Sequence, residues 1–310
     1  MPVSQRDVKN RISSVKNIEK ITRAMQMVAA ARLRRAEQRI EHLRPYADAI
    51  RRMTRQAAEA ADNVPNVPIL VEREDVKRVG ILIVTGDRGL AGAFNSQIVR
   101  AGIRASNELE NDGKDISWYA SGRRGVSSLA FRGKDLKGSY IGFTDRPAYA
   151  DARHIAEDLI AAYGDEELDR VDIVYNHYIS PLTQRVTREV LLPLQQAHVI
   201  EGADPESDED GDGEEDERDI HSGQRALVEY EPDPEEILQR LVPDFVEISV
   251  YRALLESTAS EHGARMTAMR NASENAKELM EDLTLEMNRA RQAEITQEIM
   301  EVVAGAEALT

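Results

Sequence analysis

Two stretches free of glycine and proline bracket the chain: residues 3–44 near the start, and residues 264–304 near the end, the latter flanked by Gly263 and Gly305. A backbone without breakers over such lengths favours unbroken helix, and at ~1.5 Å per residue each would reach about 60 Å, twice the width of a small domain. A helix that long cannot bury its apolar face in an ordinary core; it needs a partner of equal length. In the first run apolar residues recur at intervals of three and four, at Ile12, Val15, Ile18, Ile21, Met25, Val28, Leu33, Ala36, Ile40 and Leu43. In the second the series is Met266, Met269, Ala272, Ala276, Leu279, Leu283, Met287 and Ala290. These are the stripes of a two-stranded coiled coil that drifts slowly around each helix, so the two ends of the chain are expected to pack on each other as an antiparallel pair.

Between the rods the texture changes. "VGILIVTGDRG" (79–89) is a β-branched run ending in turn residues, and "DISWYAS" (115–121), "VDIVYNHYIS" (171–180) and "VTREVLL" (186–192) read as further strands. Helical patterns at 94–109, 124–132 and 150–162 lie between them. Alternating strands and helices predict a Rossmann-like open α/β domain inserted between the two halves of the rod. The expected organisation is residues 1–60 as the N-terminal coiled-coil helix, 76–241 as an α/β body with an acidic loop at 201–225, and 242–310 as the C-terminal coiled-coil helix.

The formal charge of −16 is unevenly distributed. Residues 204–219, "DPESDEDGDGEEDERD", carry eleven acidic side chains against one arginine, a net −10, whereas residues 1–60 hold fourteen Lys or Arg against six Asp or Glu, a net +8. So dense a like-charged loop, without apolar residues, is expected to be a solvated excursion from the body. The chain has no cysteine, which excludes disulfides, Cys-based zinc sites and thiol switching. No apolar run approaches the ~20 residues that span a bilayer, so a membrane role would have to be peripheral.

"TGDRGLAGAFN" (85–95) follows a strand and precedes a helix, where a phosphate-binding loop would sit. Its glycines, Gly86, Gly89 and Gly92, do not give G-x-G-x-x-G, and no Lys-Ser/Thr pair follows, so a structural turn is the stronger reading. The six histidines include no pair at helical spacing, and no nucleophile and base stand together, so neither a metal, a cofactor nor a catalytic residue is assigned. Basic side chains on the first helix (Arg23, Arg32, Arg34, Arg35, Arg39) lack the interleaved aromatics of a nucleic-acid surface. Val28–Ala31 and "IMEVVAGAEAL" (299–309) are apolar around more of the helix than one seam can bury, which predicts that another protein encloses part of the rod.

Five blocks, in order, resemble the gamma subunit of F-type ATP synthases: "RISSVKNIEKITRAMQMVAAARLRRA" (11–36), "TGDRGLAGAFN", "YEPDPEEIL" (230–238), "LLESTASEHGARMTAMRNASENA" (254–276) and "RARQAEITQEIMEVVAGAEAL" (289–309). The last carries the family's I-T-x-E-x-x-E-x-x-x-G-A pattern at Ile295, Thr296, Glu298, Glu301, Gly305 and Ala306. The resemblance implies a single-copy, non-catalytic central-stalk rotor. Its coiled coil turns inside an alpha3-beta3 hexamer, and its body stands on a c-ring with the epsilon subunit, at the cytoplasmic face of a bacterial plasma membrane. It implies beta-subunit contacts at Met25, Arg88, Arg291, Gln292, Thr296 and Glu298, and a c-ring-facing segment at Tyr230 and Glu231. Many family members have cysteine where Ala91 stands, and chloroplast members carry a dithiol insert where this chain has its acidic loop, so thiol control is not expected. Two rival readings make different predictions: a coiled-coil nucleic-acid binder would show salt-sensitive retention on DNA or RNA, and a stand-alone α/β enzyme would turn over alone.

Overall fold

The computed structural model describes residues 5–60, 68–70, 73, 75–194 and 234–307. In order, the elements are helix α1 (Gln5–Ala60), a 3-10 turn (Pro68–Leu70), β1 (Arg78–Val84), α2 (Phe94–Asn111), β2 (Asp115–Ser121), α3 (Arg123–Phe131), β3 (Leu136–Tyr140), α4 (Tyr149–Gly164), β4 (Arg170–Tyr178), β5 (Gln184–Leu192) and α5 (Pro234–Glu307). They form two compact units, one drawn from Met1–Arg34, Leu90–Gly92 and His262–Thr310, the other from Arg35–Gly89 and Ala93–Glu261. The acidic loop at 204–219, and Tyr230 and Glu231, lie outside the described residues.

Both terminal helices outrun the glycine- and proline-free stretches. Helix α1 passes through Pro45, and α5 passes through Pro243 and Gly263. A proline inside a helix removes one backbone hydrogen bond and costs about 3 kcal/mol. Around Pro45 that cost is offset by burial: Ile50, Leu241 and Ile248 form a cluster on which Leu43, Ala47 and Phe245 also pack. Propensity is overridden here by packing between α1 and the first part of α5.

In the helical unit the inward residues of α1 are Val8, Ile12, Val15, Glu19, Thr22, Gln26, Ala29 and Leu33, spaced four and three in strict alternation. That is a heptad seam. Over residues 18–29 it runs one position away from the row expected from hydrophobicity, since Ile18, Ile21 and Val28 are 52%, 59% and 53% exposed while Thr22 and Ala29 are buried; Ile12, Val15 and Leu33 belong to both rows. On α5 the inward series is Met269, Ser273, Ala276, Met280, Leu283, Met287 and Ala290, with the expected Leu279 turned outward. The inward pattern of α5 ends at Ala290.

In the α/β unit the strand order is β3-β2-β1-β4-β5, parallel except for β5, which forms an antiparallel hairpin with β4. Strand β1 is buried on both faces, as a central parallel strand must be. Ile83 faces α2, where Gly102 allows the close approach: a Cβ there would sit 2.8 Å from Ile83. On the other face Leu82 and Val84 join Ile155 and Leu159 of α4 and Val242, Val246, Val250 and Leu254 of α5 in one core cluster. The start of α5 is therefore part of the fold of the body before the helix continues into the helical unit.

Candidate partner interface

From residue 291 to residue 304 every side chain of α5 is exposed. Ile295, Ile299, Val302 and Val303 are 43%, 57%, 73% and 51% exposed and recur at the spacing of one helix face. Arg291 and Gln292 lie one turn ahead of Ile295, and Glu298 flanks the row. Thr296 is held locally, its hydroxyl donating to the Gln292 carbonyl at 2.9 Å. These four residues therefore lie on consecutive turns of a helix end with no covering element among the described residues. Such an apolar stripe with directed polar neighbours is the surface a protein partner buries.

The half-buried Met25 continues a second exposed row on α1 with Ile18, Ile21 and Val28. Sequence periodicity had these residues in the seam. The signal that separates the two rows is the parallel four-three series of small and polar residues one position later.

Arg88 is exposed and pairs with Asp145 at 3.5 Å. It projects from a turn whose own groups are closed on one another. The N–H groups of Thr85, Gly86 and Asp87 donate to Ser121 O at 2.8 Å, Asn95 Oδ1 at 2.9 Å and Thr144 Oγ1 at 2.8 Å. The Asp87 carboxylate accepts from the N–H groups of Arg123, Gly142 and Thr144, and from the Thr144 hydroxyl. Burial works against its charge, but these hydrogen bonds outweigh burial and hold its carboxyl below the usual range. A phosphate-binding turn needs such N–H groups to point at the ligand. Here the first three are engaged by the protein itself, which favours the structural reading that its glycine spacing indicates.

The switch point of the sheet, between β1 and β4 at their carboxyl ends, is where open α/β folds hold ligands. Helix α5 occupies it. Ser257 Oγ donates to Val84 O at 3.2 Å, Ser260 Oγ to Asn176 O at 3.2 Å, and Thr258 Oγ1 to Thr144 O at 2.9 Å. The carboxylate of Glu261 lies against Gly86. These residues were not singled out by sequence reasoning; the signal that could have found them is a cluster of hydroxyls, S-T-x-S, inside a helix with no exposed polar face.

A cavity of about 440 Å³ opens between α1, β4 and α5. Several of its polar side chains are paired. His177 Nδ1 meets Glu256 Oε2 at 2.6 Å, Arg252 donates to Glu189 at 2.8 Å, and the Tyr178 hydroxyl donates to Glu37. Among the described residues there is no cluster of His, Asp and Glu able to hold a metal, and no helix long and apolar enough to cross a membrane.

A family model of ATP synthase matches residues 4–309. The ATP synthase gamma chain of Rubrobacter xylanophilus is 46% identical over 99% of this chain and 98% of its own length. The chain belongs to the ATP synthase gamma-chain family. The gamma chain of Heliobacterium modesticaldum is 42% identical, covering 98% of each sequence. Among solved structures, a chain from the central stalk and c-ring of the Tetrahymena thermophila mitochondrial ATP synthase aligns with TM-score 0.58 and 26% identity, over 82% of this chain and 99% of its own. A chain of the Euglena gracilis mitochondrial ATP synthase aligns with TM-score 0.67 and 20% identity over 98% of this chain and 94% of its own, a likeness of fold. Membership makes the long terminal helices and central parallel-sheet unit those of a gamma chain.

Proposed function

We propose that this gamma chain is the rotating, non-catalytic shaft of its complex. Its helical unit turns inside an alpha3-beta3 hexamer, its α/β body, residues 76–241, stands on the c-ring beside epsilon, and one copy serves each complex. The observation that carries the reading is the end of α5, residues 291–304, exposed on every side and striped with apolar residues. An exposed apolar stripe of that kind marks a surface for contact with another protein. A shaft with two helices of unequal reach presents a different face to each of three equivalent subunits. It acts by stabilising one catalytic conformation at each position through differential contacts, which is the thermodynamic content of rotary coupling.

In this reading Arg291, Gln292, Thr296 and Glu298 meet the beta subunits at the tip, with Met25 contributing from α1 and Arg88 from the body. Arginine suits such a contact because its planar fork engages a carboxylate in two directed hydrogen bonds. Tyr230 and Glu231 are assigned to the side that faces the c-ring. The complex sits peripherally at the cytoplasmic face of a bacterial plasma membrane, and the chain needs no cofactor.

The test is reconstitution with the alpha and beta subunits of the same organism. Co-expression is expected to give a complex holding one copy of this chain, with ATP hydrolysis that neither the chain nor a mixture lacking it supports. Removal of residues 291–310 is expected to abolish that dependence. Full hydrolysis by alpha and beta without the chain, or failure of the chain to join them, would remove the reading.

A further inference from the structure

We propose that residues 256–261 of α5 form a keyed joint through which torque passes between the α/β body and the long helix, with Ser257, Thr258 and Ser260 as positioning residues. The proposal rests on the rotor reading above.

Residues 253–263 of α5 are buried on every side. A helix buried all round is ordinarily apolar all round. This one carries Glu256, Ser257, Thr258, Ser260 and Glu261, exposed by 6%, 3%, 4%, 0% and 1%. Buried hydroxyls in helices can be satisfied by bonding back to the carbonyl four residues earlier. Thr258 shares its hydroxyl between that carbonyl, Leu254 O at 2.7 Å, and Thr144 O at 2.9 Å. Ser257 and Ser260 reach outward, to the end of β1 at Val84 O and to β4 at Asn176 O. Glu256 reaches His177 on β4 as well.

At about 100° per residue these anchors spread over more than half of the helix circumference. They meet three separate segments of the body: β1, β4 and the turn after β3. The geometry matters because the two kinds of contact resist different motions. Apolar packing is non-directional, so a helix held only by it can creep about its own axis while staying buried. Hydrogen bonds weaken steeply once bent below about 120°, so anchors at several azimuths resist rotation in either sense. Further up the body α5 is held by an apolar face, Val242, Val246, Val250 and Leu254, with Arg252 donating to Glu189 on β5 at 2.8 Å, and the hydroxyl segment adds anchors at other azimuths. The hydroxyl segment comes last before the helix leaves the body, where a twist lock is most effective.

The test uses the complete, membrane-reconstituted complex with the triple variant Ser257→Ala, Thr258→Val, Ser260→Ala. The tip of α5 is unaltered, so ATP hydrolysis is expected at the parental rate. Torque delivery is expected to suffer: a bead fixed to the body should show a wider angular distribution at rest, and ATP-driven proton pumping against an opposing gradient should be lost. Parental bead distribution and pumping in an assembled triple variant would overturn the proposal. Should the triple variant not assemble, Thr258→Val and Thr258→Ser decide the matter: broadening in the first with the parental width in the second supports a hydroxyl lock, and equal widths overturn it. If the unmodified chain does not assemble with its partners at all, the rotor reading itself fails, and that is visible before any substitution is made.

Discussion

The carboxylate of Glu261 fills the space that a side chain at Gly86 would need: a Cβ built on Gly86 meets Glu261 Cδ and Oε1 at 2.6 Å. A carboxylate at the end of a flexible side chain can normally step aside. Glu261 is 1% exposed and cannot. Gly86→Ala is therefore expected to destabilise the chain by about 1–3 kcal/mol, the usual range for overpacking. In urea the midpoint should fall with an unchanged slope, and adding Glu261→Ala should recover part of the loss, because residues in contact are not additive. A parental midpoint for Gly86→Ala would mean that Glu261 has room to move.

The same turn makes a second prediction. Its first three N–H groups are engaged by Ser121, Asn95 and Thr144, and a carboxylate lies beside it. The chain alone is expected to give no calorimetric signal with Mg-ATP at micromolar concentrations and no phosphate release. Stoichiometric heat would contradict the closed turn.

Arg291 and Gln292 are exposed, so their replacement has little to disturb in the chain itself. The double variant Arg291→Ala, Gln292→Ala is expected to change the chain's own unfolding free energy by less than about 0.5 kcal/mol, as surface substitutions do. In the assembled complex the loss is expected at the interface. Truncating one side of a buried charge pair costs about 2–5 kcal/mol, much of it from the partner left unpaired. ATP turnover of the complex should fall well beyond any change in melting temperature. Equal turnover in parental and variant complexes would release these residues from the role.

Much of the architecture was legible because it rests on long-range periodicity: two breaker-free runs, and strands alternating with helices. What escaped did so for local reasons. Strand β3, "LKGSY", alternates exposed and half-buried positions at the sheet edge and contains Gly138, so it has no apolar run to mark it. In the middle of α1 the inward row runs one residue from the hydrophobic one, with Thr22 and Ala29 buried and Ile18 and Ile21 exposed, a difference that hydrophobicity alone does not mark. Pro45 and Pro243 interrupt the breaker-free runs, yet both lie inside helices where tertiary packing offsets their cost. The tip residues Arg291, Gln292, Thr296 and Glu298 were assigned only by resemblance, because they lie beyond the end of the apolar series at Ala290. The hydroxyl anchors at the switch point depend on three segments distant in sequence, which no local pattern reveals.

The displaced seam can be checked directly. Leu33 is 4% exposed and Ile21 is 59% exposed, although both belong to the same hydrophobic series in the sequence. Leu33→Ala is expected to cost about 2–5 kcal/mol. Ile21→Ala should cost less than about 0.5 kcal/mol in the isolated chain. In the assembled complex Ile21→Ala is expected to weaken assembly if that row is covered by a partner. A reversed order of costs in urea unfolding would return the seam to the hydrophobic row.

Asp169 ties the start of β1 to the start of β4, and it gives stability a defined acid dependence. Its carboxylate accepts the backbone N–H groups of Lys77 and Arg78 at 3.0 and 2.8 Å, and the Arg78 guanidinium at 2.9 Å. Burial alone would push its pKa up, but the Arg78 guanidinium and the two N–H groups prevail and bring it down to about 2. A carboxyl whose folded pKa lies below its unfolded value of about 3.9 contributes stability that is fully present above the unfolded value and is lost as pH falls through the folded one. Arg78 is 44% exposed, which lets solvent screen part of the attraction, so the contribution at neutral pH is about 1–2 kcal/mol. Asp169→Asn should be less stable than the parent by that amount at pH 7. The gap should narrow as pH drops from about 4 towards 2, because a protonated Asp resembles the amide. Urea midpoints of both proteins across that range make the comparison, and a gap that stays constant with pH would show that the stability comes from packing and not from the charge on Asp169.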